Sequence, residues 1–427
     1  MRNHYSVVIV GGGQAGLSIS YCLKERGIDH LIFEKNQIGY AWREKRWDSF
    51  CLVTPNWQCQ LPGFPYPGSD PQGFMVKDEI VQYIQAFAAS FEPPIREGVE
   101  VLRLWKDETH NRFELQTSIG TYTADQVVIA TGGYHQPKIP RMAERLPATV
   151  QQIHASEYKN PDALPPGAVL VVGTGQSGCQ IAEDLHLAGR TVHLSMGSAP
   201  RSPRRYRGKD VVDWLDQMGY YDLPIDEHPQ KDKVRAKANH YLTGRDGGRE
   251  IDLRQFAKEG MQLHGRLQRI HGTELQFNPD LKQNLDQADA VSESIKQTID
   301  AFIAKNHLNA PTEPPYHPVW QPTEEQPVID IGAANIQTVI WCTGYQTDFS
   351  WMDVPVFNGK GYPSHERGVT PIWGLYFLGL PWLYTWGSGR FSGIARDAVY
   401  LADYLAARRR ISTNNAWSVV NEFLLGS

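Results

Sequence analysis

Val7-Val8-Ile9-Val10-Gly11-Gly12-Gly13-Gln14-Ala15-Gly16 is the stretch that decides the fold of this chain. Four apolar residues, three of them valine, read as a short buried strand. The glycines follow as G-x-G-x-x-G, and Leu17 to Arg26 then carry a helical pattern. In a strand–loop–helix unit of this kind, the first glycine permits the tight turn. The second lets backbone approach a pyrophosphate, and the third lets helix pack on strand. The helix N-terminus offers free N–H groups and the positive end of its dipole to phosphate. The same pattern returns at Val169-Leu170-Val171-Val172, followed by Gly173-Thr174-Gly175-Gln176-Ser177-Gly178. One such loop is a weak signal. Two, in separate units, point to two dinucleotides in one protein and to an α/β fold with two Rossmann-like dinucleotide-binding domains.

The residues after each loop indicate which dinucleotide it takes. The first helix pattern ends at Gly27, and the strand His30-Leu31-Ile32-Phe33 runs into Glu34. An acid about 20 residues after the loop bonds the ribose hydroxyls of an adenosine, and a loop so near the N-terminus is typical of FAD-binding folds. In the second unit, Met196 stands where Glu34 stood, counted from the last glycine of each loop. No carboxylate is placed there to repel a 2′-phosphate, and Ser195, Arg201, Arg204, Arg205 and Arg207 lie close by. This favours NADPH over NADH. The alternative for each arginine is a solvated loop.

Composition agrees with a globular enzyme. A chain of 427 residues suggests about two to three domains. Its 41% hydrophobic content supports large cores, and its net charge of −5 argues against a nucleic-acid partner. No apolar run reaches about 18 residues, so no membrane span is expected. Strand residues begin near Tyr5, so no signal peptide is expected. Cys22, Cys51, Cys59, Cys179 and Cys342 form no C-x-x-C and no metal-ligand cluster. Reduced thiols in the cytoplasm are the simplest reading, and no metal is expected.

Along the chain, residues 1–35 form the first βαβ unit. Residues 40–75, rich in tryptophan, proline and glycine, read as a long ordered loop over a ligand. A helix is expected over Phe74–Phe91. Strands are expected around Val99–Leu104, Arg112–Thr117, Thr121–Ala124 and Gln126–Ala130, the last ending at Thr131-Gly132-Gly133. Val339-Ile340-Trp341-Cys342-Thr343-Gly344-Tyr345 echoes that ending and reads as the return to the first domain. The expected organisation places the first part of an FAD domain at 1–155. An NADPH domain is inserted at 156–325, carrying its own insertion at about 209–322. The second part of the FAD domain spans 326–427. Within the inner insertion, a strand pair is expected near Met261–Ile270 and Glu274–Phe277, with a helix near Ala288–Lys305.

His154-Ala155-Ser156-Glu157-Tyr158-Lys159 is similar to the H-[AS]-x-x-Y-[KR] core of a family signature. Leu52 to Pro67 resembles the YUCCA pattern of leucine, proline and a closing F/Y-P. With the two loops, these segments make nearly the whole chain resemble the two-dinucleotide-domain flavoprotein monooxygenases. That group holds animal flavin-containing monooxygenases, plant YUCCA enzymes and Baeyer–Villiger monooxygenases. Most closely, the chain resembles the flavoprotein family of bacterial nitrilase gene clusters. It departs from the group pattern at Ala148 and Val150, in Gly39-Tyr40-Ala41-Trp42, and at Val53, where animal enzymes carry a functional asparagine. The Baeyer–Villiger active-site arginine has no match.

The resemblance implies an FAD-dependent, NADPH-using monooxygenase that inserts one oxygen atom from O₂ into a small organic substrate through a flavin hydroperoxide. Two alternatives stay open: an oxygen-independent FAD/NAD(P)H oxidoreductase, and a catalytically silent redox-sensing flavoprotein. The missing C-x-x-C excludes a dithiol relay of the thioredoxin-reductase kind. The candidate cofactor-binding residues are Gly11, Gly13, Gln14, Ala15, Gly16, Glu34, Lys35, Trp42, Val101, Thr131, Gly132, Gly173, Gly175, Gln176, Ser177, Gly178, Ser195, Arg201, Arg204, Gly344, Gly379 and Arg390. His154 is the candidate in the catalytic region, as a hinge or support rather than an acid or base. Trp42, Trp47, Trp57, Trp382, Tyr384 and Trp386 are either walls of a dry site or ordinary packing. The partners implied are the small-molecule substrate and O₂, with a homodimer left open.

Overall fold

The computed structural model describes residues 2–408; the end of the expected second FAD segment, 409–427, lies outside the described residues. Strand β1 (His4–Val10), helix α1 (Gln14–Glu25) and strand β2 (His30–Glu34) form the first unit. β1 pairs in parallel with β2, Val8 opposite Leu31, and on its other edge with the strand Gly120–Ile129, Val8 opposite Val127. It is the centre of an eight-stranded sheet. The order across that sheet is Met352–Asp353, Val101–Asp107, Arg112–Thr117, Gly120–Ile129, β1, β2 and Ile95–Glu97, with Leu375–Phe377 also pairing Gly120–Ile129. Central parallel strands are covered on both faces, so they carry continuous apolar runs; Val7, Val8, Ile9 and Val10 are all buried. Val7 and Ile9 face a core shared with α1 and the helix Lys77–Phe91, while Val8 and Val10 face the opposite core. The strands expected at Thr121–Ala124 and Gln126–Ala130 are one continuous strand, because its alternating half and its fully apolar half share one ladder.

Strand β3 (Ala168–Val172), helix α2 (Gln176–Leu187) and strand β4 (Val192–Ser195) form the second unit. Its sheet runs Gln151–His154, Ile336–Trp341, β3, β4 and Gln262–His264, all parallel. This moves both boundaries of the expected NADPH domain. Gln151–His154 and Ile336–Trp341 belong to the second sheet, not to the flanking parts of the first. The echo between Ala130-Thr131-Gly132 and Cys342-Thr343-Gly344 therefore has a topological cause. Each segment ends the strand that lies beside its own fingerprint strand, 120–129 beside β1 and 336–341 beside β3. The chain re-enters the first sheet only at Met352–Asp353.

The inner insertion is also smaller than expected. Gln262–His264 completes the second sheet. Leu267–His271 and Glu274–Phe277 form a hairpin extended by Val328–Asp330. The long helix begins at Leu281 rather than Ala288 and ends at Lys305. Residues 394–408 form the last described helix, which buries Ile394, Ala398, Leu401 and Leu405 against α1's core.

Candidate dinucleotide sites and the cleft between them

In the first loop, a side chain at Gly11 would place its Cβ 2.6 Å from the Ala130 carbonyl oxygen, and φ there is +106°. A Cβ at Gly16 would lie 1.8 Å from the Gly11 carbonyl oxygen. These two glycines let strand, loop and helix close on one another. A Cβ at Gly13 would meet nothing within 4 Å. Gly13 is the N-cap of α1, in extended backbone and with no side-chain cap. The first helical N–H groups therefore face open space, the arrangement that receives a pyrophosphate. Glu34 stands over the loop, its carboxylate accepting from Gly12 N at 2.6 Å and Asn36 N at 2.8 Å. Lys35 pairs outward with Glu100 at 2.5 Å. Val101 is half-buried at the margin of the opposite core, and it is Val99 whose N–H meets the Glu34 carbonyl. The Thr131 hydroxyl is buried beside the loop without a hydrogen-bond partner, and Gly132 has open space around it. Buried polar groups are rarely left unpaired, so the crevice has the polar lining and room that FAD needs.

The C-terminal segment closes this site. A Cβ at Gly379 would lie 2.6 Å from the Ala15 Cβ. Gln14 donates to the Gly389 carbonyl at 3.3 Å and accepts from Trp42 Nε1 at 3.2 Å. Trp42 stacks on Phe391, with centroids 5.6 Å apart. One glutamine thus ties together the first loop, the aromatic cover and the turn before the last helix.

The second loop repeats the geometry. A Cβ at Gly173 would lie 2.7 Å from the Cys342 carbonyl oxygen, and one at Gly178 would lie 1.9 Å from the Gly173 carbonyl oxygen. Gly175 faces open space and caps α2 without a side-chain bond. Ser177 follows, half-buried, in the first turn of α2. Gln176 is bonded in both directions to Leu242, whose N–H donates to its Oε1 at 3.2 Å and whose carbonyl accepts from its Nε2. The insertion therefore crosses the mouth of this loop.

The expected 2′-phosphate ligands are engaged elsewhere. Ser195 is buried, donating to the Gly265 carbonyl at 3.1 Å and accepting from Leu267 N at 2.9 Å. Arg201, with 2% of its side chain exposed, meets Glu250 and Asp289 at 2.9 Å and Asp252 at 3.5 Å. Arg204, equally buried, is held by Asp210 and donates to the Val53 carbonyl at 2.7 Å. Arg207 pairs with Asp300 at 2.8 Å. Buried guanidinium groups persist only with such partners. The partners of Arg201 lie about 50 to 90 residues downstream, so the local arginine run gave no sign of them. Arg205 is the exposed member of the run, and it has no carboxylate partner among the described residues.

The cover joins the two units rather than only shielding one. Trp47 packs with Tyr158 in the second core. Trp57 Nε1 donates to Asp213 at 2.9 Å, and Ser49 donates to Asp184 at 2.6 Å. Asn56 is structural, accepting from Met75 N and donating to the Asp70 carbonyl. Gln58 carries no sequence motif, yet it is buried with its Oε1 unpartnered. It adjoins the C-terminal turn through the Gln60 N–H to Phe391 carbonyl bond at 3.3 Å. Trp382 is buried in a cluster with Ile225 and Val234, and Tyr384 is half-buried.

His154 ends the first strand of the second sheet and is buried. Its Nε2 lies 3.0 Å from the Gly344 carbonyl and its Nδ1 lies 2.9 Å from Ser156 Oγ, so both nitrogens are engaged. Burial holds its pKa below the ordinary imidazole value, partly offset by the Gly344 carbonyl. The neutral ring with Nε2–H donating to Gly344 fits this set. Gly344 also accepts from Lys138 N at 3.0 Å, so its carbonyl is pinned where the chain passes between the sheets. Arg390 is half-buried; it donates to the Trp386 carbonyl and to Asn239 Oδ1 at 2.9 Å, and lies 3.9 Å above the Trp386 ring.

All five cysteines are free. Burial pushes Cys22 and Cys51 up to about 11 and Cys59 up to about 12, and raises Cys179 and Cys342 as well. Among the described residues, no group of three or more His, Cys, Asp or Glu side chains could hold a metal, and no helix is long and apolar enough to cross a membrane.

Residues 8–243 match the family described as pyridine nucleotide-disulphide oxidoreductase. The chain is 34% identical over 404 residues to an uncharacterized oxidoreductase CzcO-like protein of Geobacillus kaustophilus, covering 94% of this chain and 98% of that protein. It is 32% identical over 181 residues to the probable indole-3-pyruvate monooxygenase YUCCA4 of Arabidopsis thaliana, covering 42% and 43% of the two chains. The flavin-containing monooxygenase from Stenotrophomonas maltophilia has a similar fold, with a TM-score of 0.64 at 18% identity over 95% of this chain and 99% of that one. The chain belongs to the pyridine nucleotide-disulphide oxidoreductase family, as an enzyme of the two-dinucleotide flavoprotein type that uses FAD and NADPH.

Proposed function

We propose that this protein is an NADPH-dependent flavin monooxygenase acting on a small organic substrate. The observation that carries the reading is the pairing of two equivalent loops with an aromatic cover bonded to both units, beside five free thiols of which four are buried. When bound, FAD accepts two electrons from NADPH and, with O₂, supplies the oxygen atom transferred to the substrate. The residues of the chain do the rest. Gly13 and Gly175 admit the two pyrophosphates, and Glu34 orients the adenosine ribose. Gln14 holds Trp42 and the C-terminal turn in place, and the Trp42–Phe391 stack excludes water from one wall. His154 keeps the Gly344 carbonyl in position between the two sheets without exchanging a proton.

Support also comes from the YUCCA relative, whose name states a monooxygenase activity. The family description raises disulphide reduction as a second reading. It is disfavoured because the thiolate is the reacting form, and burial disfavours it at every cysteine. The same free thiols support a cytoplasmic location.

The test is to load the protein with FAD, reduce it anaerobically with NADPH, and mix it with O₂ in a stopped-flow instrument. The expected result is a transient flavin spectrum that is neither reduced nor oxidised and that lasts longer with NADP⁺ present. A single-phase return to oxidised flavin with stoichiometric peroxide release, whatever amine, thioether or ketone is offered, would reject oxygen transfer and leave an oxygen-independent oxidoreductase.

A further inference from the structure

The two units differ in charge at the end of the strand where the adenosine ribose is held. Each has an edge strand beyond its second strand, Ile95–Glu97 beside β2 and Gln262–His264 beside β4. The registers match: Phe33 lies opposite Arg96, and Ser195 lies opposite His264. One step on, the first unit sets Glu34 opposite Glu97. The second unit carries Met196 and Gly265 at those places, so both acids are gone. One step further, the first unit has Lys35, paired outward with Glu100, and Gly98. The second has Gly197 and Arg266. An arginine therefore stands on the edge strand where the first unit has a glycine.

Arg266 is fixed by its backbone and uncommitted at its side chain. Its neighbours Gly265 and Leu267 both bond the Ser195 hydroxyl at the end of β4. Its own N–H donates to Asp280 Oδ1, and its carbonyl accepts from Asn278 N, each at 2.9 Å. The side chain is exposed, and among the described residues no acid pairs with it. Met196 N donates to the His264 carbonyl at 2.9 Å, and Gly197 N donates to Thr174 Oγ1 at 3.1 Å. Thr174 belongs to the second glycine loop, so Arg266 stands about one strand spacing, roughly 4.8 Å, from a segment that touches that loop. The other candidates are spent or remote. Ser195, Arg201, Arg204 and Arg207 are bonded within the chain. Arg205 is exposed, but its neighbour Tyr206 meets the long helix at Asp300, whereas Asn284 of that helix meets the Met196 carbonyl. Those two points lie about 24 Å apart along the helix, at about 1.5 Å per residue.

We propose that Arg266 grips the 2′-phosphate of NADPH, the role that the arginines of 201–207 do not fill. The proposal rests on the reading of Gly173–Gly178 as the NADPH loop, and it names the residue that selects the phosphorylated cofactor there. A guanidinium presents N–H donors in a planar fork that matches a phosphate. The missing acids at Met196 and Gly265 remove the repulsion that Glu34 and Glu97 would exert on the same group in the first unit.

The test uses FAD-loaded protein and two probes, NADP⁺ and NAD⁺, which differ only in the 2′-phosphate, with binding followed by calorimetry. NADP⁺ should bind roughly tenfold to a hundredfold more tightly, as a charge-assisted hydrogen bond implies. The preference should narrow as ionic strength rises, because an exposed pair is screened. Arg266→Gln should weaken NADP⁺ to the level of NAD⁺ and leave NAD⁺ unchanged, with Arg266→Lys falling between. The exposed side chain makes no contact that folding needs, and the comparison of the two probes on the unmodified protein stands even if a variant misfolds. Equal binding of the two probes, or no binding of NADP⁺, would overturn the proposal. So would a preference for NADP⁺ that a folded Arg266→Gln protein keeps. The loop is read separately through Gly175→Ala, which should weaken both probes alike. An Arg266-dependent preference in a protein whose affinities ignore Gly175→Ala keeps the phosphate anchor and rejects the loop assignment. Weakening of both probes by Gly175→Ala, with no preference that depends on Arg266, does the reverse.

Discussion

Two glycines of one motif should respond oppositely to the same one-carbon change. At Gly13, an added Cβ meets no protein atom within 4 Å, and φ is −75°. Gly13→Ala therefore asks nothing of the fold except the weaker N-cap, worth about 0.5–1 kcal/mol, which the stiffer unfolded chain partly offsets. Apo Gly13→Ala should melt within a few degrees of apo wild type, at about 2–4 °C per kcal/mol. The methyl group instead occupies the open space beside the α1 N-terminus. Crowding a bound pyrophosphate there by about 1–3 kcal/mol weakens FAD roughly tenfold to a hundredfold. At Gly16, the added Cβ would lie 1.8 Å from the Gly11 carbonyl oxygen, so helix and strand must separate. Gly16→Ala should lower the apo melting temperature itself, by on the order of 3 kcal/mol or more in stability. The assay is the flavin-to-protein absorbance ratio after reconstitution, beside thermal melts of apo and FAD-saturated protein. Apo melts are essential, because bound FAD adds its own stabilisation. Wild-type FAD affinity in folded Gly13→Ala would refute the pyrophosphate path. Unchanged apo stability in Gly16→Ala would refute the packing argument.

Gly175→Ala should retain its flavin yet be reduced more slowly by NADPH, since Gly175 faces the same open space in the second unit; a matching loss of flavin would show that the two loops are not independent. Arg204→Met should leave Asp210 buried and unpaired and cost about 3–5 kcal/mol, lowering the melting temperature while the KM ratio for NADPH over NADH stays the same; a selective loss for NADPH would restore a phosphate role. His264, buried and stacked beside His193, is held down to about 3. Its folded value lies below the unfolded value of 6.5, so the unfolded chain binds the extra proton. The stability it confers is present above pH 6.5 and is lost as pH falls from there towards 3, at up to about 1.4 kcal/mol per pH unit. Denaturant melts of His264→Asn should show a shallower acid limb than wild type, and an identical limb would assign the acid lability to other groups.

The two dinucleotide units were legible because their signals are local. An apolar run, a glycine spacing and a helix follow one another within about 20 residues, and each is required by the contact it makes: Gly16 against Gly11, Gly178 against Gly173. The place of Glu34 at the end of β2, over the loop, was legible for the same reason, as was the Ala-Thr-Gly ending of the strand beside β1. Sheet membership was not. Ile336–Trp341 has the composition of any buried parallel strand, and only hydrogen bonding to β3 assigns it to the second sheet. The arginine run was misleading because a guanidinium attracts either a ligand phosphate or a carboxylate of its own chain. The choice was made by Glu250, Asp252, Asp289 and Asp210, which folding brings to it. Gln58 stands in no motif, and what singles it out is the partner its Oε1 lacks after burial. Local spacing alone thus determined that two dinucleotide loops exist. Which charges are already satisfied, and which remain for a ligand, depends on contacts between residues far apart in the chain, and only the tertiary structure decided it.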